Sequence, residues 1–180
     1  LLFNIVAKFV HLLYGYEGIN ILLKLAPSRI IINILREFGA KIGQNVRIQA
    51  PLIIHNADQF KPIYKNLTIA DGCYLGRDCI IDVMGKIEIQ SNSTLSHRVV
   101  LNTHTNPGRS PLKNERLKTT HGNITIGDGA YIGVGVTILE DVVIGKNTII
   151  GAFSLVNRSI PEGRKAFGVP CKVQDIINDN

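Results

Sequence analysis

The stretch IGDGAYIGVGVTILEDVVIGKNTIIGAFSLV, Ile126 to Val156, carries Ile126, Ile132, Ile138, Ile144, Ile150 and Val156 at intervals of six residues. An α-helix repeats its apolar face every 3.6 residues and a strand every two, so neither alone selects a step of six over so long a run. The residue four places after each aliphatic is small or β-branched (Ala130, Val136, Val142, Thr148, Ser154), which gives two inward positions in every six. The residue directly after the aliphatic is often glycine (Gly127, Gly133, Gly145, Gly151), as expected at a corner where the chain turns through conformations that a Cβ resists. Short strands joined by tight corners, three to a turn, make a triangular parallel β-helix whose coils stack about 4.8 Å apart.

The same rule extends toward the N-terminus. Ile42, Ile48 and Ile54 start it, with Gly43 at a corner; Ile69, Leu75, Ile81 and Ile87 keep the step, the register slips by two, and Ile89, Leu95 and Leu101 resume it. Ile42 to Pro161 then holds roughly five coils, and the run between Leu101 and Ile126 cannot be a regular one. That break is where chemistry is expected. The domain plan is a helical segment at 1–41 and a β-helix domain at 42–180, with a protruding loop at 102–123 and a C-terminal tail.

In the helical segment, Ile30, Ile31, Ile34, Leu35 and Phe38 recur at helical spacing, with Ser28 as N-cap and Gly39 as stop, and two or three short helices are expected. Lys8, His11, Glu17 and Lys24 interrupt the apolar run too often for a membrane span, and it shows no cleavage site of signal-peptide type. The chain opens on leucine and not methionine, so residues before Leu1 are expected. Two roles fit these helices: a cap over the open end of the solenoid, or an interfacial helix on lipid, with Lys8, Lys24, Arg29 and Arg36 facing anionic headgroups.

A chain of 180 residues that is 45% hydrophobic can bury one core, and nothing in it resembles a flexible linker. The net charge of +6 favours an anionic ligand, but with 6% aromatics and scattered basic residues it points to a phosphate-bearing small molecule and away from nucleic acid. Cys73 and Cys79 fall in the small inward slots of consecutive hexapeptides, on different walls, where they cannot bond each other, which suits a reducing cytosol.

Coils interrupted by a loop reading LNTHTNPGR (101–109), then two further coils and a tail reading IPEGRKAFGVPCKV (160–173), resemble the hexapeptide-repeat acyltransferases, nearest the sugar O-acetyltransferases of the galactoside, maltose, capsule and O-antigen type. The resemblance implies a left-handed coil, a homotrimer with active sites between neighbouring coils, and acetyl-CoA as donor; no metal is expected, and the cysteines and N-terminal helices give an expected cytoplasmic location with peripheral membrane contact as one option. It assigns His104 as the catalytic histidine. An imidazole with an ordinary pKa near 6.5 can take the proton of an attacking hydroxyl, typically worth about 10² to 10⁴ in rate. The alternative for His104, beside polar Asn102 and Thr103, is simple solvation.

Asp82 matches an acceptor-binding position of the family. It would hold a sugar hydroxyl or orient the imidazolium, or serve as a turn former at a corner. Asn102 completes the catalytic set. For the donor, the resemblance assigns Tyr131, Gly133 and Val134, with backbone N–H groups near Gly133 and Val134 as oxyanion donors, since valine offers none from its side chain. It also assigns Gly151 and Ala152 to close approach of the pantetheine, and Asn157, Arg158, Arg164, Lys165 and Lys172 to the phosphates, where each cation alone could equally be a solvated surface charge. Cys171 in the tail reads as structural. His97, His55 and His11 read as structural or surface residues, and His121, just before the coil restart, is placed to approach the cleft from the loop; a zinc-dependent β-helix carbonic anhydrase stays a minor alternative, against which stand the spacing from His97 to His104 and the lack of a third well-placed histidine. Other readings are acetylation of an amino sugar or of serine, and a non-catalytic assembly subunit that needs neither loop histidine nor basic groove. The loop's Arg109, Lys113, Arg116 and Lys118 fit an acidic acceptor or a hydrophilic surface.

Overall fold

The computed structural model describes residues 2–113 and 115–174, and the last residues of the expected tail lie outside them. Short strands stack into three walls of a left-handed β-helix. Wall 1 holds Lys41–Ile42, Leu67–Ile69, Ile87–Ile89, Ile124–Ile126 and Val142–Ile144. Wall 2 runs from Arg47–Ile48 through Tyr74–Leu75, Thr94–Leu95, Tyr131–Ile132 and Ile149–Ile150 to Lys165–Phe167, and the antiparallel strand Lys172–Gln174 pairs with the last of these. Wall 3 holds Leu52–His55, Cys79–Asp82, Val100–Leu101, Thr137–Ile138 and Leu155–Val156. From Ile48 to Val156 every aliphatic of the six-residue register is buried. At about 1.5–3 kcal/mol per side chain, this column is the main favourable contribution to folding.

The corner glycines act differently from the expectation. Gly127 and Gly133 do not adopt positive φ; a Cβ would lie 2.5 Å from Lys146 N at the first and 2.7 Å from Ala152 N at the second, so they are required by the approach of the next coil. The left-handed conformations fall three residues before the inward aliphatics, where Asn45, Asp78, Asn92, Asp141 and Asn147 adopt them alongside Gly72 and Gly129. Asn and Asp tolerate that region better than other side chains. Cys73 and Cys79 are buried and unpaired, leading into or lying on different walls. Burial pushes the Cys79 thiol up to about 11 and the Cys73 thiol above its ordinary value.

Two helices precede the coil: α1 (Leu2–Leu25), broken at Gly15, and α2 (Ser28–Glu37). Together they close the first coil wall by wall. Arg36 donates to the carbonyls of Ile42 and Gly43 on wall 1, Ser28 Oγ accepts the N–H of Ile48 on wall 2, and the Asn20 amide bonds both the C=O and the N–H of Ile54 on wall 3. These are the edge groups that an open solenoid would otherwise present to another chain. Ser28 therefore serves the coil and not its own helix, which has no side-chain cap. The same arrangement removes two of the four cations expected to face lipid: Arg36 is engaged with the coil, and Lys8 pairs with Glu37 at 2.6 Å. Ile5, Phe9, Leu12 and Leu25 remain exposed along α1. No helix among the described residues is long and apolar enough to cross a membrane.

A regular coil takes eighteen residues, as from Ile126 to its neighbour Ile144. The earlier neighbours on wall 1 are farther apart: Ile42 pairs with Ile69, Ile69 with Ile89, and Ile89 with Ile126. All the excess falls at one edge of the prism, between wall 3 and wall 1, in residues 56–66, 83–86 and 102–123. The slip of two is thus located just after Asp82, and Ile87 and Ile89 both point inward from a single strand.

Candidate active site

Three irregular corners stacked on one edge are the structural basis of the site. The longest, 102–123, is held at its base by an antiparallel pair in which His104 faces His121 and Thr105 faces Thr120. Thr103 is fully buried and fastens the loop to the corner below, because its hydroxyl accepts the N–H of Gly85 and its carbonyl accepts the N–H of Gly122. A Cβ on Gly85 would collide with the Gly122 carbonyl, so the two corners meet through glycine. Asn102 donates its side-chain amide to the His104 carbonyl, which makes it a support of the loop strand.

His104 Nδ1 lies 2.6 Å from Asp82 Oδ2. Asp82 is 4% exposed, and both oxygens are engaged: Asn56 Nδ2 (2.6 Å) and Met84 N–H (3.2 Å) bond Oδ1, while Thr103 N–H (3.0 Å) and the Thr103 hydroxyl (2.8 Å) join the imidazole on Oδ2. Burial works to raise the carboxyl's pKa, but the hydrogen bonds from Asn56, His104, Thr103 and Met84 outweigh it and hold the group below its ordinary value. An ionised carboxylate accepts and does not donate, so in the neutral imidazole of His104 the proton sits on Nδ1 and the lone pair on Nε2. Nε2 makes no hydrogen bond among the described residues, and the ring is 22% exposed. Both oxygens of Asp82 are thus engaged within the chain, one of them on the imidazole of His104.

The other candidate residues sit elsewhere on the prism. Tyr131 lies on the outer face of wall 2, 47% exposed, with its hydroxyl 3.1 Å from Ser96 Oγ. Gly133, Val134, Gly151 and Ala152 occupy the edge between walls 2 and 3, across the full width of wall 3 from His104. The Gly133 N–H bonds the Ile150 carbonyl and is therefore unavailable to an oxyanion; that of Val134 has no acceptor among the described residues. Gly151 is likewise engaged within the chain, its N–H on Ala166 and its open side filled by the Phe167 side chain. Asn157 and Arg158 are exposed at the His104 edge, and Arg164, Lys165 and Lys172 are exposed about the terminal hairpin. The Cys171 side chain is buried against Ser154. His97 accepts the Arg77 N–H through Nδ1. Sequence reasoning missed Asn56 and the clamp made by Thr103. The signal for Asn56 was the excess between Ile54 and Ile69, while Thr103 carried none beyond adjacency to His104.

Comparison with known proteins agrees with this geometry. The bacterial transferase hexapeptide family (six repeats) matches residues 123–158. A galactoside O-acetyltransferase of Lactococcus lactis is 31% identical over 147 residues, covering 82% of this chain and 68% of that protein. Among solved structures, a maltose O-acetyltransferase from Clostridium difficile 630 superposes with a TM-score of 0.73 at 28% identity, covering 88% of this chain and 82% of its own. A galactoside acetyltransferase in complex with coenzyme A gives 0.73 at 25% identity, over 98% and 82%. The coil, the loop histidine and a relative matched over two thirds of its length lead to one conclusion: the chain belongs to the hexapeptide-repeat acetyltransferases.

Proposed function

We propose that the protein transfers the acetyl group of acetyl-CoA to a hydroxyl of a sugar, in sites completed between copies of a homotrimer. The observation that carries this reading is the contact between His104 Nδ1 and the buried Asp82 carboxylate, which leaves Nε2 as the base. Nε2 takes the proton of the acceptor hydroxyl as its oxygen attacks the thioester carbonyl. The tetrahedral intermediate collapses with cleavage of the C–S bond, and the imidazolium returns the proton to the departing thiolate, so no covalent enzyme intermediate is needed. Asp82 stabilises the transient imidazolium. Similarity to galactoside and maltose acetyltransferases supports a sugar as acceptor.

The donor candidates Tyr131, Val134 and Ala152 lie across wall 3 from His104, so one copy's wall 2–wall 3 edge must meet the His104 edge of the next. A head-to-tail contact makes a ring where its rotation closes, and closure after three copies gives the expected trimer. Exposed Tyr131, Ile149, Phe153 and Val169 on or beside that edge support such a contact. The Val134 N–H would then face the oxyanion, and Asn157, Arg158, Arg164, Lys165 and Lys172 the phosphates. A reducing, cytoplasmic compartment suits three unpaired cysteines. Contact of α1 with lipid rests on its exposed Ile5, Phe9, Leu12 and Leu25, and sedimentation with anionic vesicles tests it.

Radiolabelled acetyl-CoA offered with sugars, nucleotide sugars, amino sugars and amino acids should yield an O-acetyl sugar; label on amines alone would contradict the reading. Light scattering should return three times the 19.8 kDa of one chain. A monomer that binds acetyl-CoA tightly would rule out the shared site.

A further inference from the structure

We infer that Asn56 is a positioning residue for this reaction, the third member of a hydrogen-bonded relay Asn56–Asp82–His104 assembled from three successive coils at one edge of the prism. The inference rests on His104 acting as the base. Asn56 opens the insertion at 56–66, in the left-handed conformation (φ 59, ψ 24) that asparagine tolerates, and leads into the short turn Ala57–Gln59 without capping it. Its side chain is therefore not used locally; its amide instead reaches Asp82 Oδ1 at 2.6 Å. The other donor to that oxygen is the Met84 N–H at 3.2 Å, whereas Oδ2 has three donors, one of them His104. Asn56 thus fixes the rotation of the carboxylate about its Cβ–Cγ bond, and with it the oxygen that holds the imidazole. The backbone beneath Asn56 is itself anchored, by the Asn20 clasp on Ile54 and by the buried Ala57.

The corners packed about Asp82 carry Lys61 and Lys65 on the insertion 56–66, Lys86 on 83–86, Asp141 on the next coil and the basic residues of loop 102–123. His55 is the cross-strand partner of Asp82, His121 that of His104, Asp58 lies on the same insertion, and Glu140 on the next coil accepts from Thr120. None of them contacts Asp82 Oδ1 among the described residues, which leaves Asn56 as its side-chain partner.

Two variants test the relay. Asn56→Gly keeps the left-handed backbone and removes the amide; it should lower kcat about tenfold or more through misplacement of the base, with KM for acetyl-CoA unchanged. Asn56→Asp keeps the shape and places a second carboxyl against Asp82 Oδ1, where the two carboxyls share a proton and titrate as a pair; the pH at which His104 titrates should move away from its parental value. That titration is read by ¹⁵N NMR, with His104 assigned from its own variant, and needs no acceptor; the acidic limb of kcat should move the same way. A purely structural role would lower the melting temperature of both variants and leave the His104 titration where it was. Parental titration and parental kcat in both variants would overturn the inference. If the parent transfers no acetyl group, or if His104→Ala keeps its turnover, the functional reading falls, and the NMR titration still decides whether Asn56 sets the state of His104.

Discussion

Replacing Asp82 with asparagine should damage both the reaction and the fold, and the structure sets the size of each effect. The two oxygens of Asp82 face five donors: Asn56 Nδ2 and Met84 N–H on Oδ1, and Thr103 N–H, the Thr103 hydroxyl and His104 Nδ1 on Oδ2. An amide has one NH₂ group, and either orientation sets that group against N–H donors in a site that is 4% exposed. If NH₂ replaces Oδ1, it faces Asn56 and the Met84 N–H. If it replaces Oδ2, it faces the Thr103 N–H and drives His104 to the tautomer with its proton on Nε2, which cannot act as a base. Buried donors left without acceptors cost about 1–3 kcal/mol, and a chain of this size loses about 2–4 °C in Tm per kcal/mol. A base in the wrong tautomer should cost up to about 10⁴ in kcat. The stability difference should also depend on pH. Because the folded-state pKa of Asp82 is depressed, its contribution is fully present above the ordinary carboxylate value near 3.9 and is lost as pH falls through the lower folded value. Urea unfolding of parent and variant between pH 7 and pH 3 should therefore show a gap that is constant down to the ordinary carboxylate value and narrows below it. Parental kcat together with a parental unfolding midpoint at pH 7 would refute the reasoning.

Other outcomes follow from the same contacts. Asn20→Ala leaves the N–H and C=O of Ile54 without their partner and should destabilise the fold by about 1–3 kcal/mol, measured by urea unfolding. Gly133→Ala sets a Cβ 2.7 Å from the backbone nitrogen of Ala152, and the forced separation of two coils should lower Tm by an amount equivalent to about 1–3 kcal/mol, whereas no effect would mean that the coils do not touch there. Cys79, buried and raised to about 11, should react with a thiol reagent only at the rate of unfolding, and fast labelling of the native protein would mean that its slot does not face the core.

The coil was legible because each buried aliphatic is repeated with the period of the structure that buries it, so Ile126 to Val156 carries its own geometry. The corner glycines were legible as a pattern but not in their cause. A neighbour one coil away, Lys146 for Gly127 or Ala152 for Gly133, is remote in sequence and leaves no local mark. Ser28 reads as a helix cap because its helix follows at once, yet the edge of wall 2 competes for the same oxygen and obtains it. At the site, His104 stood out as the histidine of the LNTHTNPGR run just past the break of register, and Asp82 through the family pattern. The burial of Asp82, which depends on loop 102–123 folding over it, was not legible in the sequence. The relation of Asn56 to either residue needs the stacking of three coils, and no short-range spacing encodes that.

The most direct test of the account is the turnover of His104→Ala measured beside its affinity for acetyl-CoA. The base touches the acceptor's proton and not the nucleotide, so kcat should fall by about 10² to 10⁴ while acetyl-CoA binding, followed by calorimetry, stays near the parental value. Near-parental turnover in this variant would remove His104 from the mechanism and contradict the reading of the wall 3–wall 1 edge as the active site.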